Sequence, residues 1–172
     1  MAEVQPVPEG VPSNASVQGH PVHPMLIPFP IAFLVTAFLT DLAYWGTGDL
    51  FWARASLWLL GAGVVTGLVA GAVGSIDFST LGRVREHRES WIHAGGNLVA
   101  LTLALINWGL RLAVGPVLAG GALATGVVLS ALVAAILGVT MWYGQELVYR
   151  HMIAVIGARR PARIEEARRR VA

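Results

Sequence analysis

Apolar residues along this chain come in four long runs, at about 25–45, 55–76, 91–112 and 117–143, separated by short polar breaks. Each run is close to the roughly 20 residues that carry a helix across about 30 Å of hydrocarbon. Open strands do not serve as spans, because they leave backbone groups unpaired in lipid. The pattern predicts an all-α, four-helix transmembrane bundle of up-down-up-down order. The breaks after the first and third runs are short, so consecutive helices should pack as antiparallel neighbours. Aromatic residues gather at the run ends: Tyr44, Trp45, Phe51, Trp52 and Trp108 at one level, Trp91, Trp142, Tyr143 and Tyr149 at the other. That is the belt expected at two membrane–water interfaces.

Composition agrees with the pattern. Of 172 residues, 55% are apolar and 13% charged, with a mean hydropathy of +0.64. Soluble domains carry roughly 25% charged residues. Cysteine is absent, which excludes disulfides, thiolate metal sites and thiol nucleophiles. All 12 basic residues are arginine, and seven of them lie from Arg150 onward. With four crossings, ten arginines fall on the side of the termini and two, Arg54 and Arg111, on the other. The positive-inside rule then places both termini in the cytoplasm. The basic tail is read as this topology signal, not as a nucleic-acid surface. Residues 1–18 read as a disordered lead-in, not a signal peptide, because they are rich in proline and acid with no apolar core. Residues 19–156 form the membrane domain, and 157–172 a basic tail. The stretch from 144 onward is partly amphipathic, suited to lie on anionic headgroups.

The second run carries Gly63, Gly67 and Gly71 at four-residue spacing. Small residues on one stripe let helices approach closely, either within the bundle or at a homodimer face. Asp41 lies about one turn inside the far end of the first run, where a lone carboxylate is costly. Arg54 opens the second run at the same level, and a pair across the first hairpin accounts for both. In the third run, His93, Asn97, Ala100, Ala104 and Asn107 share one helical face. That face is small and polar, so it should look inward.

The remaining polar residues converge at the end that carries the termini. His20 and His23 precede the first run within Gly19-His20-Pro21-Val22-His23-Pro24, where prolines restrict the backbone. Asp77 follows the second run, His93 opens the third, and Glu146 and His151 follow the fourth. Imidazole and carboxylate suit a divalent metal, with His20, His23, Asp77, His93 and Glu146 as the ligand set. Imidazoles from facing helices equally suit haem b, with His23, His93, His20 and His151 as candidates. His87 sits in a charged loop and stands outside both sets. The same residues also suit plain capping of helix ends.

Taken together, Gly19-His20-Pro21-x-His23-Pro24-Met25-Leu26, Pro28-Phe29-Pro30, Asp41, Asp77, His93 with Asn97, and Gly144-x-Glu146-Leu147-Val148-Tyr149-Arg150-His151 resemble one bacterial family. It is the family of four-helix membrane proteins catalogued as domain of unknown function 2231. The resemblance covers about residues 19–156. It implies the fold and the membrane location, and similar domains joined to cytochrome c-like or Rieske-like modules hint at electron transfer. Gln145 and Met152 stand where glycine is common in the family.

Three functions fit the sequence. One is a membrane redox component with a membrane redox partner. A second is a cofactor-free structural or assembly subunit of a larger membrane complex. A third is a small transporter or channel, which as a thin bundle would need to be a homo-oligomer lining its path with Asp41, Asn107, Asn97 and His93. No nucleophile, phosphate loop or paired catalytic carboxylates appear, so no catalytic residues are assigned.

Overall fold

The computed structural model describes residues 10–155. Two short strands, β1 (Ser16–Val17) and β2 (His20–Pro21), pair as a tight antiparallel turn ahead of the bundle. The helices are α1 (Val22–Leu26), α2 (Pro28–Thr47), α3 (Leu50–Thr80), α4 (Gly82–Arg85), α5 (Arg88–Val114) and α6 (Gly120–Tyr149). Among the described residues, four helical stretches are long and apolar enough to cross a membrane: Val22–Thr47, Leu50–Thr80, Arg88–Val114 and Gly120–Tyr149. They pack as one bundle. Helices α2 and α3 form the first hairpin, and α5 and α6 the second. Across hairpins α2 lies against α6 and α3 against α5, so α2 and α5 face each other diagonally.

Local chemistry explains the breaks. Pro28 lacks an N–H and cannot donate back one turn, which separates α1 from α2. At the far end of α2, Gly48 takes φ of 69° and its N–H caps the Tyr44 carbonyl at 2.8 Å. Asp49 then caps α3 by accepting the Phe51 N–H at 2.9 Å.

The interior is narrow. Leu34, Ala37, Leu60, Val64, Ala100, Ala104, Val133 and Leu137 form its apolar centre. The outside is more apolar than the inside is large: Trp58, Leu98 and Val128 are among many exposed hydrophobic side chains. An exterior of this kind implies contact with the lipid bilayer.

The two hairpins repeat each other. Asp41 and Arg111 stand 70 positions apart, and the same interval relates His23 to His93, Ala70 to Thr140 and Gly74 to Gly144. Buried positions follow it too: Leu34 with Ala104, Ala37 with Asn107, Leu60 with Ser130. Equivalent helices sit diagonally, so the repeat amounts to a pseudo-two-fold axis along the bundle. Residues near that axis meet their own counterparts.

Residues 10–18 form a strap across one end of the bundle. Asp77 holds it, accepting from Ser13 Oγ at 2.5 Å, Asn14 N at 2.8 Å and Ala15 N at 3.1 Å. Val11 is buried and bridges to Ile153, so the strap also touches the segment after α6. The basic stretch 157–172 lies outside the described residues.

Candidate functional site

His23 reaches the bundle from α1 and His93 from the second turn of α5. Their ring centroids are 6.3 Å apart and their planes stand at 88°. Each ring is held in the same way. His23 Nδ1 donates to the Ala70 carbonyl at 2.8 Å, and His93 Nδ1 donates to the Thr140 carbonyl at 2.8 Å. A carbonyl only accepts, so each Nδ1 carries the proton. In the neutral ring, Nε2 then carries the lone pair. In His93 that lone pair meets Asn97 Nδ2 at 3.3 Å. The Asn97 amide also donates to the His93 carbonyl at 2.7 Å and accepts from Thr140 Oγ1 at 3.1 Å.

Glycines make the room. A Cβ on Gly74 would stand 2.8 Å from His23 Nδ1, and one on Gly144 would stand 2.9 Å from His93 Cε1. Each glycine lies one turn beyond the carbonyl that holds its ring. Ring, carbonyl and glycine thus form one seat, built twice, at positions related by the internal repeat.

The other buried polar group occupies the far half of the bundle. Asp41 pairs with Arg111 at 2.7 Å, with both side chains fully buried. Asp41 also accepts from Ser56 Oγ at 2.5 Å and Ser130 Oγ at 2.6 Å. Thr40 shares the Ser56 hydroxyl at 2.7 Å. Asn107 donates to Ser130 Oγ at 2.8 Å and to the Gly126 carbonyl at 3.0 Å, and it accepts from Arg111 Nε at 3.3 Å. This corrects the pairing expected from sequence. Arg54 is exposed, and the partner of Asp41 comes from the other hairpin. Arg111, counted with Arg54 on the far side of the membrane in the charge split, turns its guanidinium inward.

A third group lies at the end that carries the strap. His87, Glu89 and His151 each offer a ligand atom, and these atoms lie within 4.8 Å of one another. The His87 and His151 rings stack at 3.8 Å between centroids.

A family model described as a predicted membrane protein family, DUF2231, matches residues 19–157. The chain belongs to the DUF2231 family. No curated protein and no solved structure matches it. Within this DUF2231 domain the five histidines separate into three places. His23 and His93 meet, with Asn97 beside them. His151 joins His87 and Glu89, neither of which was in a predicted ligand set. His20 stays exposed on the β1–β2 turn, donating to the Gln18 carbonyl at 3.2 Å. Asp77 is engaged by the strap, and Glu146 pairs with Arg150 at 2.9 Å. Among the described residues neither carboxylate stands within a group of three potential ligands, so the five-residue metal set does not form as one cluster.

The glycine stripe divides. Gly63 packs on Leu34 and Gly67 on Leu101, within the bundle. Gly71 is exposed with open space beside it. The inward path continues through Ala70 and Gly74. Ala100 and Ala104 lie in the apolar centre, between Asn97 and Asn107.

Proposed function

We propose that this protein binds a b-type haem between His23 and His93 and passes single electrons in or beside the membrane. The imidazole pair carries the reading. His23 and His93 come from different helices, and each is held through Nδ1, so both could offer Nε2 to one bound haem. Their ring centroids lie 6.3 Å apart, close enough for one bound group to be shared by both. The donor set favours haem over a bare zinc ion. Two imidazoles would suffice to hold a haem, whereas a structural zinc ion takes four protein ligands.

When bound, the haem supplies the one-electron couple. The chain supplies orientation and surroundings. The Ala70 and Thr140 carbonyls fix the tautomer and make each Nε2 a better donor to a metal. Gly74 and Gly144 let the rings sit against helix backbone. Asn97 holds the His93 lone pair in the metal-free protein and must release it when a metal takes that position. The apolar centre limits water on one side of the rings, which tunes a redox potential.

The membrane is proposed to be a bacterial inner membrane, with the imidazole pair at the cytoplasmic end. The arginine distribution supports this orientation. With Arg111 buried, Arg54 alone remains at the opposite loops. A periplasm-only reporter after Ala172 should be silent, and one between Gly46 and Asp49 active; the reverse would overturn the orientation.

The cofactor reading is tested by the haem content of detergent-purified protein. Wild type should carry roughly one haem per chain, as a two-ligand site requires. His23→Ala and His93→Ala should each lose it, and His20→Ala should retain it. Equal haem content in all four proteins would overturn the assignment of ligands.

A further inference from the structure

Apart from the imidazole pair, among the described residues one cluster brings together three metal-binding side chains of two kinds. We propose that His87, Glu89 and His151 form a second, separate site for a divalent transition ion of the zinc class. Nothing in this proposal depends on whether haem binds at His23 and His93.

The three ligands come from two elements. His87 immediately precedes α5, Glu89 lies in its first turn, and His151 follows the last turn of α6. All three are half-buried, so their positions are partly fixed before any ion arrives. His151 Nε2 stands 3.8 Å from Glu89 Oε2. The two imidazoles are stacked at 3.8 Å with planes 32° apart. Tetrahedral ligation needs donor atoms about 3.3 Å apart, so the widest gap must close by about 1.5 Å, within reach of side-chain rotation.

The backbone around His151 is anchored on both sides. Its own N–H donates to the Glu146 carbonyl at 3.3 Å, and the Ile153 N–H donates to the Leu147 carbonyl at 3.0 Å. Ile153 is buried with Val84 and Leu147. The strap adds a second anchor: Val11 N–H donates to the Met152 carbonyl at 2.9 Å, and the Ala154 N–H donates to the Val11 carbonyl at 2.9 Å. Met152 and Ala154 take φ of 53° and 60°, the left-handed region that non-glycine residues seldom adopt. This turn directly follows His151 and ties the segment after α6 to the strap.

The chemistry suits a zinc-class ion. Two imidazoles and one carboxylate are a recurrent three-ligand set that leaves room for water. Glu89 offsets part of the ion's charge. Arg150, the residue before His151, is paired with Glu146 at 2.9 Å. A bound ion would tie the start of α5 to the end of α6. Glu89 lies four residues before His93, so the tie acts on the same end of α5 that presents the imidazole pair.

The test uses the full chain in detergent, stripped with a chelator, and Zn²⁺ alone as titrant. Calorimetry should show one ion bound per chain in wild type and a rise in melting temperature. His87→Ala, Glu89→Gln and His151→Ala should each weaken binding at least tenfold. His23→Ala should bind as wild type does. Co²⁺ in place of Zn²⁺ gives a visible band that reports ligation directly, so a variant that melts early is still informative. Binding that survives His87→Ala and Glu89→Gln, or that is lost in His23→Ala instead, would overturn the proposal. So would a wild-type protein that takes up neither ion.

Discussion

Replacing Arg111 with Met should be among the most damaging single changes in this protein. The guanidinium and the Asp41 carboxylate are both fully buried, 2.7 Å apart. Without Arg111, Asp41 keeps only the hydroxyls of Ser56 and Ser130 as donors. Removing one partner of a buried pair costs about 3–5 kcal/mol, because the other charge is left uncompensated. Asp41→Leu should cost a similar amount, since Arg111 then retains only the Asn107 carbonyl oxygen. The double variant should cost far less than the sum. Apolar replacements of a buried pair are often neutral, offset here by hydroxyls that lose an acceptor, at about 1–3 kcal/mol each. The coupling energy should therefore reach about 3 kcal/mol. Reversible unfolding in mixed detergent, following helix content, measures all four corners of the cycle. Arg54→Gln is the control, and as an exposed change should stay within about 0.5 kcal/mol of wild type. Additive single effects, or an Arg54 variant as damaging as the Arg111 variant, would refute the argument.

Gly144→Ala should lower haem retention, because the added methyl falls 2.9 Å from His93 Cε1, whereas Gly71→Ala, with open space beside it, should be neutral or slightly stabilising; haem content and melting temperature check both. Asn97→Ala should destabilise the haem-free protein by about 1 kcal/mol through lost hydrogen bonds, yet leave haem binding intact, as read by unfolding and by haem titration. Asp77→Ala removes the acceptor for Ser13, Asn14 and Ala15, so amide exchange across the strap should speed up by the equivalent of about 1–3 kcal/mol; unchanged exchange would show that Asp77 does not hold it.

Hydropathy made the four spans legible, because in lipid a helix is the one local structure that pairs its own backbone. The structure extends those spans by a few residues at most ends, where polar turns continue the helix. Helical spacing also placed His93 and Asn97 on one face, and the prolines drew attention to His23. What sequence could not show was which helices cross the bundle diagonally. Asp41 was matched with the nearest basic residue in the chain, Arg54, although the true partner is Arg111, 70 residues away. The sign was present, since comparing the chain with itself at that interval aligns His23 with His93 and Gly74 with Gly144. His87 was set aside because charged loops are usually solvated. The turn through Met152 and Ala154, just after His151, uses left-handed backbone with no glycine to announce it.

The most direct test of the haem assignment is the low-temperature EPR spectrum of the oxidised, haem-reconstituted protein. Two imidazoles with planes near 88° should give a strongly anisotropic low-spin ferric signal. His93→Ala, which leaves one axial ligand, should convert it to a high-spin signal or abolish haem binding. A folded wild-type protein that takes up no haem would contradict the account, as would one whose signal is untouched by His23→Ala and His93→Ala.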